Sequence, residues 1–249
     1  MTKPTIIHIF YLVSIFGLSS CGIYRQNVVN TPLMQQKGQA QISGSVGFTS
    51  YDGQLAYAPT KKIAIIANYS DLGTEQVNYS SENYTINKHN FYEMGIGCYK
   101  KNKSALTSEY FLIAGKGATS RYNQGLDSNM KISSTFQKVT YNRFCFQADY
   151  GKTIRKWEYI VSPRIMVVNY YNISDNSSES YKDLPATYLY ADITGSVRYN
   201  FLKYFKLSGQ LNLTIPATDL KPSYYEFSPF NCSLGLIINM NFYKAIQTN

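Results

Sequence analysis

The segment from Asn231 to Phe242 constrains this chain most. Cys232, Leu234, Leu236, Ile238, Met240 and Phe242 share one parity, and Asn231, Ser233, Gly235, Asn239 and Asn241 share the other, with Ile237 the one exception. A period of two is that of a β-strand, whose successive side chains point to opposite faces. Two earlier segments repeat it. Phe205, Leu207, Gly209, Leu211, Leu213 and Ile215 oppose Lys206, Ser208, Gln210, Asn212 and Thr214. Leu189, Ala191, Ile193, Gly195, Val197 and Tyr199 oppose Tyr190, Asp192, Thr194, Ser196 and Arg198. Such a chain has to build sheet with one apolar and one polar face.

Extending the alternation predicts strands near 39–48, 53–59, 62–70, 89–100, 104–116, 134–149, 156–171, 186–200, 203–215 and 231–242. The connections alternate in length. Pro59–Lys61, Lys101–Lys103, Gly151–Arg155 and Phe201–Leu202 are short, whereas 71–88, 117–133, 172–185 and 216–230 are long and polar. Short turns at one end and long loops at the other are the pattern of an all-β, antiparallel, up-and-down transmembrane β-barrel, with periplasmic turns and extracellular loops. Counting residues 39–59 as a hairpin gives about ten strands, and leaving that hairpin aside gives eight. Pro163 has no N–H for the ladder, which predicts a bulge in the seventh strand.

Alternation alone leaves open which face is outside, because a soluble lipocalin-like barrel would turn its apolar face inward around an apolar ligand. The charges favour the membrane. Glu93, Glu109, Arg143, Glu158, Arg164, Asp192 and Arg198 each fall in mid-strand, opposite the main apolar face, and are expected to form a charge network in the lumen. Antiparallel partners keep a constant sum of residue numbers, and the pairs Arg164/Asp192 and Glu158/Arg198 share one sum. One register would therefore set both opposite-charge pairs face to face. Glu93 opposite Glu109 would bring two acids together unless Arg143 lies between them. Aromatic residues gather in two expected belts, Tyr57, Tyr99, Tyr150, Trp157, Tyr199, Tyr204 and Phe242 at the short-turn end and Tyr69, Tyr92, Tyr170, Tyr171 and Tyr188 at the long-loop end. Ser233, Gly235, Ile238 and Met240, followed by Phe242, resemble the C-terminal assembly signal of outer-membrane barrels, although the chain continues from Tyr243 to Asn249.

The other end reads as an export signal. Lys3 precedes an uncharged apolar run from Ile6 to Leu18, too short for a finished membrane helix. The run ends in Leu18-Ser19-Ser20-Cys21, which resembles the lipobox of bacterial lipoproteins. That resemblance implies cleavage before Cys21 and acylation of it, palmitate being the expected kind of chain. Two or three chains would anchor the protein stably. The expected organisation is a lipoprotein signal peptide over 1–20, a periplasmic tether over 21–38 and an outer-membrane barrel over 39–249.

The remaining residues exclude more than they suggest. Cys98, Cys145 and Cys232 are an odd, scattered set, expected to be free buried thiols. The net charge of +9 is spread out, with Lys61, Lys62, Lys100, Lys101, Lys103, Lys152, Arg155, Lys156, Lys203 and Lys206 near the short turns. That placement suits anionic lipid headgroups and gives no nucleic-acid footprint. Beyond the signal, His89 is the only histidine, on the inward parity with Glu93. A couple of these two with Ser80 or Ser81 would face away from lipid, so no enzyme is expected. One histidine and scattered thiols build no metal centre, and Gly115-Lys116-Gly117 leads into a loop, so no cofactor is expected.

Asn27-Val28-Val29-Asn30-Thr31-Pro32-Leu33, with Ala56-Tyr57-Ala58-Pro59-Thr60-Lys61-Lys62-Ile63-Ala64-Ile65, resembles an uncharacterised family of Bacteroidetes outer-membrane β-barrel, lipoprotein-like proteins. The resemblance implies a barrel in the outer membrane and brings no catalytic residue. The resulting expectation is a lipid-modified outer-membrane barrel with a structural or surface-interaction role. It would meet outer-membrane lipid and lipopolysaccharide and use the barrel-assembly and lipoprotein-export machinery. A narrow channel for small solutes and a soluble barrel for an apolar ligand are the alternatives. Leu234, Leu236, Ile238 and Met240 turned inward would mark the soluble one.

Overall fold

The computed structural model describes residues 26–47, 50–78, 83–102, 106–126, 132–175, 187–217 and 229–242. Residues 1–20, expected to be a signal peptide, together with Cys21, Ser80, Ser81 and the tail after Phe242, lie outside the described residues. Ten antiparallel strands are formed: β1 (Gln39–Gly47), β2 (Tyr51–Tyr57), β3 (Ile63–Asn78), β4 (Asn83–Lys101), β5 (Leu106–Leu126), β6 (Ile132–Ile154), β7 (Trp157–Asp175), β8 (Thr187–Asn200), β9 (Phe205–Pro216) and β10 (Phe230–Asn241). They pair in chain order and close, with β1 bonded to both β2 and β10. The 39–57 hairpin is thus part of the wall, and the barrel has ten strands rather than eight.

The outward face follows one row of ladder partners across seven strands: Ile65, Ile96, Leu112, Phe146, Ile165, Ala191 and Ile215. All seven are exposed, Leu112 at 67%. On the closing strand, Leu234 (72%) and Leu236 (42%) point outward, Ile238 and Met240 stand half-exposed on the same face, and Asn231 and Ser233 are buried inside. The apolar side is therefore the outer side. Ile237, the exception in the alternation, lies in the lumen at 3% exposure. A contiguous apolar band around the whole barrel suits hydrocarbon and would associate in water. Leu112→Arg is accordingly expected to cost about 2–4 kcal/mol in lipid, the range for a cation near the bilayer midplane. Urea titration of the protein refolded in vesicles measures it, and a neutral result would contradict a lipid-facing Leu112.

The ladder gives the β7–β8 register expected from the charges: Arg164 faces Asp192 and Glu158 faces Arg198. Other expectations are corrected. Glu93 and Glu109 do not oppose each other, since Glu93 pairs with Gly115 and Glu109 with Tyr99. Pro163 makes no bulge. The β6–β7 register is the same on both sides of it, and the ladder merely skips the stretch where Pro163 lacks a donor. The register shift lies between Lys138 and Thr140. The stretches 71–88 and 117–133 are mostly strand rather than loop, because β3–β4 pair out to Asn78↔Asn83 and β5–β6 to Leu126↔Ile132. β6 likewise continues through Ile154, leaving Arg155 (φ 55°) and Lys156 as a two-residue turn in place of Gly151–Arg155.

The belts hold in part. Tyr57, Tyr150, Trp157, Tyr204 and Phe242 are exposed at one end, as are Tyr69 and Tyr92 at the other. Tyr99, Tyr170 and Tyr188 instead turn inward and are at most 5% exposed. Lys206 also leaves the expected surface cluster, being 8% exposed beside Glu158. The three cysteines are free, but only Cys145 is buried; Cys98 is exposed and Cys232 intermediate.

Candidate functional site in the lumen

A barrel wall that puts polar side chains inward gathers them around one axis, where each needs a partner. All seven charges expected in the lumen are there, none more than 4% exposed. They pair locally along the wall. Arg164 bonds Asp192, which also accepts from Thr214. Lys206 Nζ lies 2.7 Å from Glu158, while Arg198 stays 3.9 Å from it.

Arg143 on β6 reaches Glu93 on β4 across the intervening β5, where the residue in line is Gly115. A Cβ on Gly115 would lie 2.7 Å from the Glu93 Cβ and 2.7 Å from the Phe91 ring. Glycine is thus what lets the ion pair span a strand, with the guanidinium 4.0 Å from the Phe91 centroid. Gly115→Ala is expected to cost about 1–3 kcal/mol by overpacking, read as a lower urea midpoint. An unchanged midpoint would mean the pair does not depend on that gap.

Part of the chain ahead of β1 also lies in the lumen, against the sequence expectation that it lies outside. The sequence predicts a periplasmic tether over 21–38, yet Gln26 to Leu33 run inside the barrel with every residue buried, followed by Met34 at 0% exposure. A segment there has no ladder to join, so its backbone groups must be met by side chains. Inward amides do this. The Gln210 side chain accepts from Val29 N (3.2 Å) and donates to Val29 O (2.8 Å). Asp52 accepts from Val28 N (3.1 Å), Gln54 donates to Val28 O (2.7 Å), and Gln147 donates to Asn30 O (2.7 Å). Arg198 donates to Thr31 O and to Thr31 Oγ1, and Glu109 accepts from the N–H groups of Leu33 (2.9 Å) and Met34.

The segment's own side chains complete the wall's ion pair. Asn27 donates to Glu93 (3.1 Å) and accepts from Arg143 (2.8 Å), and Asn30 donates to Asn68 (2.7 Å), which donates to Glu93 (2.7 Å). Leu33 packs where Gly151 leaves space, since a Cβ there would come 2.5 Å from it. Glu109 therefore belongs less to a salt-bridge network than to the segment. Its cross-strand neighbour Asp149 is another buried acid, which accepts from Gln147.

Sequence reading missed Asp52, Gln54, Asn68, Gln147, Asp149 and Gln210. The signal that could have found them is the choice of long amides and acids, rather than Ser or Thr, on the inward parity. The Asn27–Leu33 motif, legible only as a family-like stretch, is the lumenal segment itself.

Past the charged level, on β4, β6, β7 and β8, the lumen is aromatic. Phe91 and Tyr141 stack at 5.8 Å, Tyr141 meets Tyr170 at 5.8 Å, and Tyr170 meets Tyr188 at 5.7 Å. His89 points inward as expected, with Nε2 2.8 Å from the Tyr141 hydroxyl. Phe91 and Tyr141 are its stacked aromatic neighbours, at 6.5 and 6.3 Å. Among the described residues no group of three or more His, Cys, Asp or Glu side chains is arranged to hold a metal ion.

No family model matches the chain, and no curated protein matches it. Solved structures do. The translocator domain of the autotransporter NalP from Neisseria meningitidis is similar with a TM-score of 0.52 at 10% identity, over 82% of this chain and 87% of that one. The transport unit of the autotransporter AIDA-I from Escherichia coli gives 0.45 at 9% identity, over 86% and 93%. A major outer membrane protein from Thermus thermophilus gives 0.42 at 7% identity, over 81% and 99%. The fold shared with NalP is that of a bacterial outer-membrane β-barrel.

Proposed function

We propose that this protein is an outer-membrane β-barrel closed by its own N-terminal segment, acting through the surfaces it presents rather than by passing solutes. The observation that carries this reading is the burial of Gln26 to Met34 in the lumen, with backbone bonds to Asp52, Gln54, Gln147, Gln210, Arg198 and Glu109. A channel needs a continuous water path, and a bonded segment along the axis removes it. The paired ribbons β3–β4 and β5–β6 then become the elements available to a partner.

Acylation of Cys21, contact with lipopolysaccharide, passage through the lipoprotein-export machinery and recognition of Ser233, Gly235, Ile238, Met240 and Phe242 by the assembly machinery belong to the same reading. Its support is the lipobox-like sequence and the outward apolar face of β10. The test is single-channel recording of the refolded protein in a planar bilayer, alongside heat-modifiable migration to show that it is folded. A folded, silent protein is expected. Steady conductance from the intact chain would replace this reading with the narrow channel.

A further inference from the structure

The lumenal segment has a direction. As residue numbers fall from Gln35 to Gln26, its contacts climb the barrel. Gln35 accepts from Lys101, the last residue of β4 at the short-turn end. Leu33 bonds Glu109, near the same end of β5, and Thr31 bonds Arg198, near that end of β8. Val28 then bonds Asp52, the second residue of β2, and Gln26 accepts from Asn231, the second residue of β10 (3.4 Å). Those two strands begin at the opposite end, beside Val46, Tyr51 and Leu234, which are 57–72% exposed on the apolar outer face. The chain has therefore crossed the height of the apolar band inside the barrel by the time it reaches Gln26.

We infer that the chain ahead of Gln26 leaves through the long-ribbon mouth. The mature N-terminus, and any acyl chains on Cys21, then belong to the outer surface of the membrane rather than its periplasmic leaflet. The argument is one of reach. Cys21 lies five positions ahead of Gln26, a span of at most about 17 Å at some 3.4 Å per residue. The apolar band of such a barrel is about 25 Å tall, and the way back down the lumen is filled by the segment itself. A lipid on Cys21 would enter the leaflet facing the ribbons, pinning the segment from above and leaving Gly38–Gln39 as its attachment below. This rests on the closed-lumen reading and adds a sidedness to it.

The experiment uses the full chain in intact cells, with Cys98→Ser and Cys232→Ser and buried Cys145 left in place, labelled by a membrane-impermeant maleimide. Lys88→Cys on the β3–β4 ribbon and Lys156→Cys in the β6–β7 turn fix the orientation of the barrel. Tyr24→Cys is expected to label in intact cells to the level of Lys88→Cys, with Lys156→Cys at background until the membrane is permeabilised. Tyr24→Cys labelling only after permeabilisation, with both controls as stated, overturns the inference. Bilayer recording separates that failure from failure of the closed lumen. If replacing residues 27–34 opens a conductance while Tyr24→Cys stays periplasmic, the closure stands and the sidedness falls.

Discussion

Replacing residues 27–34 with a Gly/Ser stretch of equal length is expected to turn a silent barrel into a conducting one. The wall is expected to keep its shape without the segment, because two of its ion pairs lie within it, Arg164 to Asp192 on adjacent strands and Arg143 to Glu93 over Gly115. What the replacement removes is the material in the middle. Asn27, Asn30 and Thr31 lose their side-chain bonds, and the packing of Leu33 and Met34 is lost. Water then rehydrates Glu109 and Arg198, which otherwise hold the segment's amides and carbonyls. Part of the loss is thereby recovered, so each surrendered charged bond weighs near the lower end of about 1.5–3 kcal/mol. Stability should fall while the barrel persists, and current should appear at the single-channel level. Deleting residues 26–37 provides a second variant if the linker sequence impairs assembly. A folded, heat-modifiable variant that remained silent would show that the inward side chains themselves close the lumen.

Arg143→Met is expected to be among the most damaging single substitutions, at about 3–5 kcal/mol, because it leaves a buried charge without its counter-ion. Glu93 is 2% exposed, and its other described donors are neutral, Asn68 and Asn27. The same substitution takes a donor from Asn27 and so loosens the lumenal segment near its upper end. Adding Glu93→Gln to Arg143→Met should recover much of the loss, since an amide can bond Asn68 and Asn27 without an uncompensated charge. The four urea midpoints form a double-mutant cycle, and strong coupling between the two positions is the expected result. An Arg143→Met protein within about 1 kcal/mol of the parent, below the range for a broken buried pair, would show that water reaches Glu93 and that the lumen is wetter than its packing implies.

Much of the fold was legible because a barrel writes itself into the chain with a period of two. The parities of Leu234, Leu236, Arg164 and Asp192 assigned inside and outside correctly, and the shared sum of two charge pairs gave the β7–β8 register. What failed has a common cause. Tyr170, Tyr188 and Tyr99 fit an aromatic belt by position along the strand but turn inward by parity, and parity governs. The described parts of 71–88 and 117–133 pair as strands, yet the sequence there is largely polar and carries no sustained amphipathic alternation to announce it. Pro163 predicts a bulge, yet a missing donor can be absorbed by skipping ladder bonds without a shift in register.

The sequence by itself determined the strands in outline and their two faces, one apolar and one carrying the charges, while the closed ladder decided ten strands over eight and the exposure of Leu234 and Leu236 decided that the apolar face is the outer one. Only the tertiary structure decided what occupies the lumen. Residues 26–37 carry no periodicity of their own, since their bonds are spread over strands all around the barrel and the spacing of those partners is set by the barrel's curvature. Gln210 lies far along the chain from Val29, and Arg143 far from Asn27. Such contacts leave no local trace in either partner beyond an amide where a hydroxyl would have sufficed. A strand announces its face because its neighbours repeat every second residue, whereas a segment threaded through a closed lumen meets partners that are scattered along the chain.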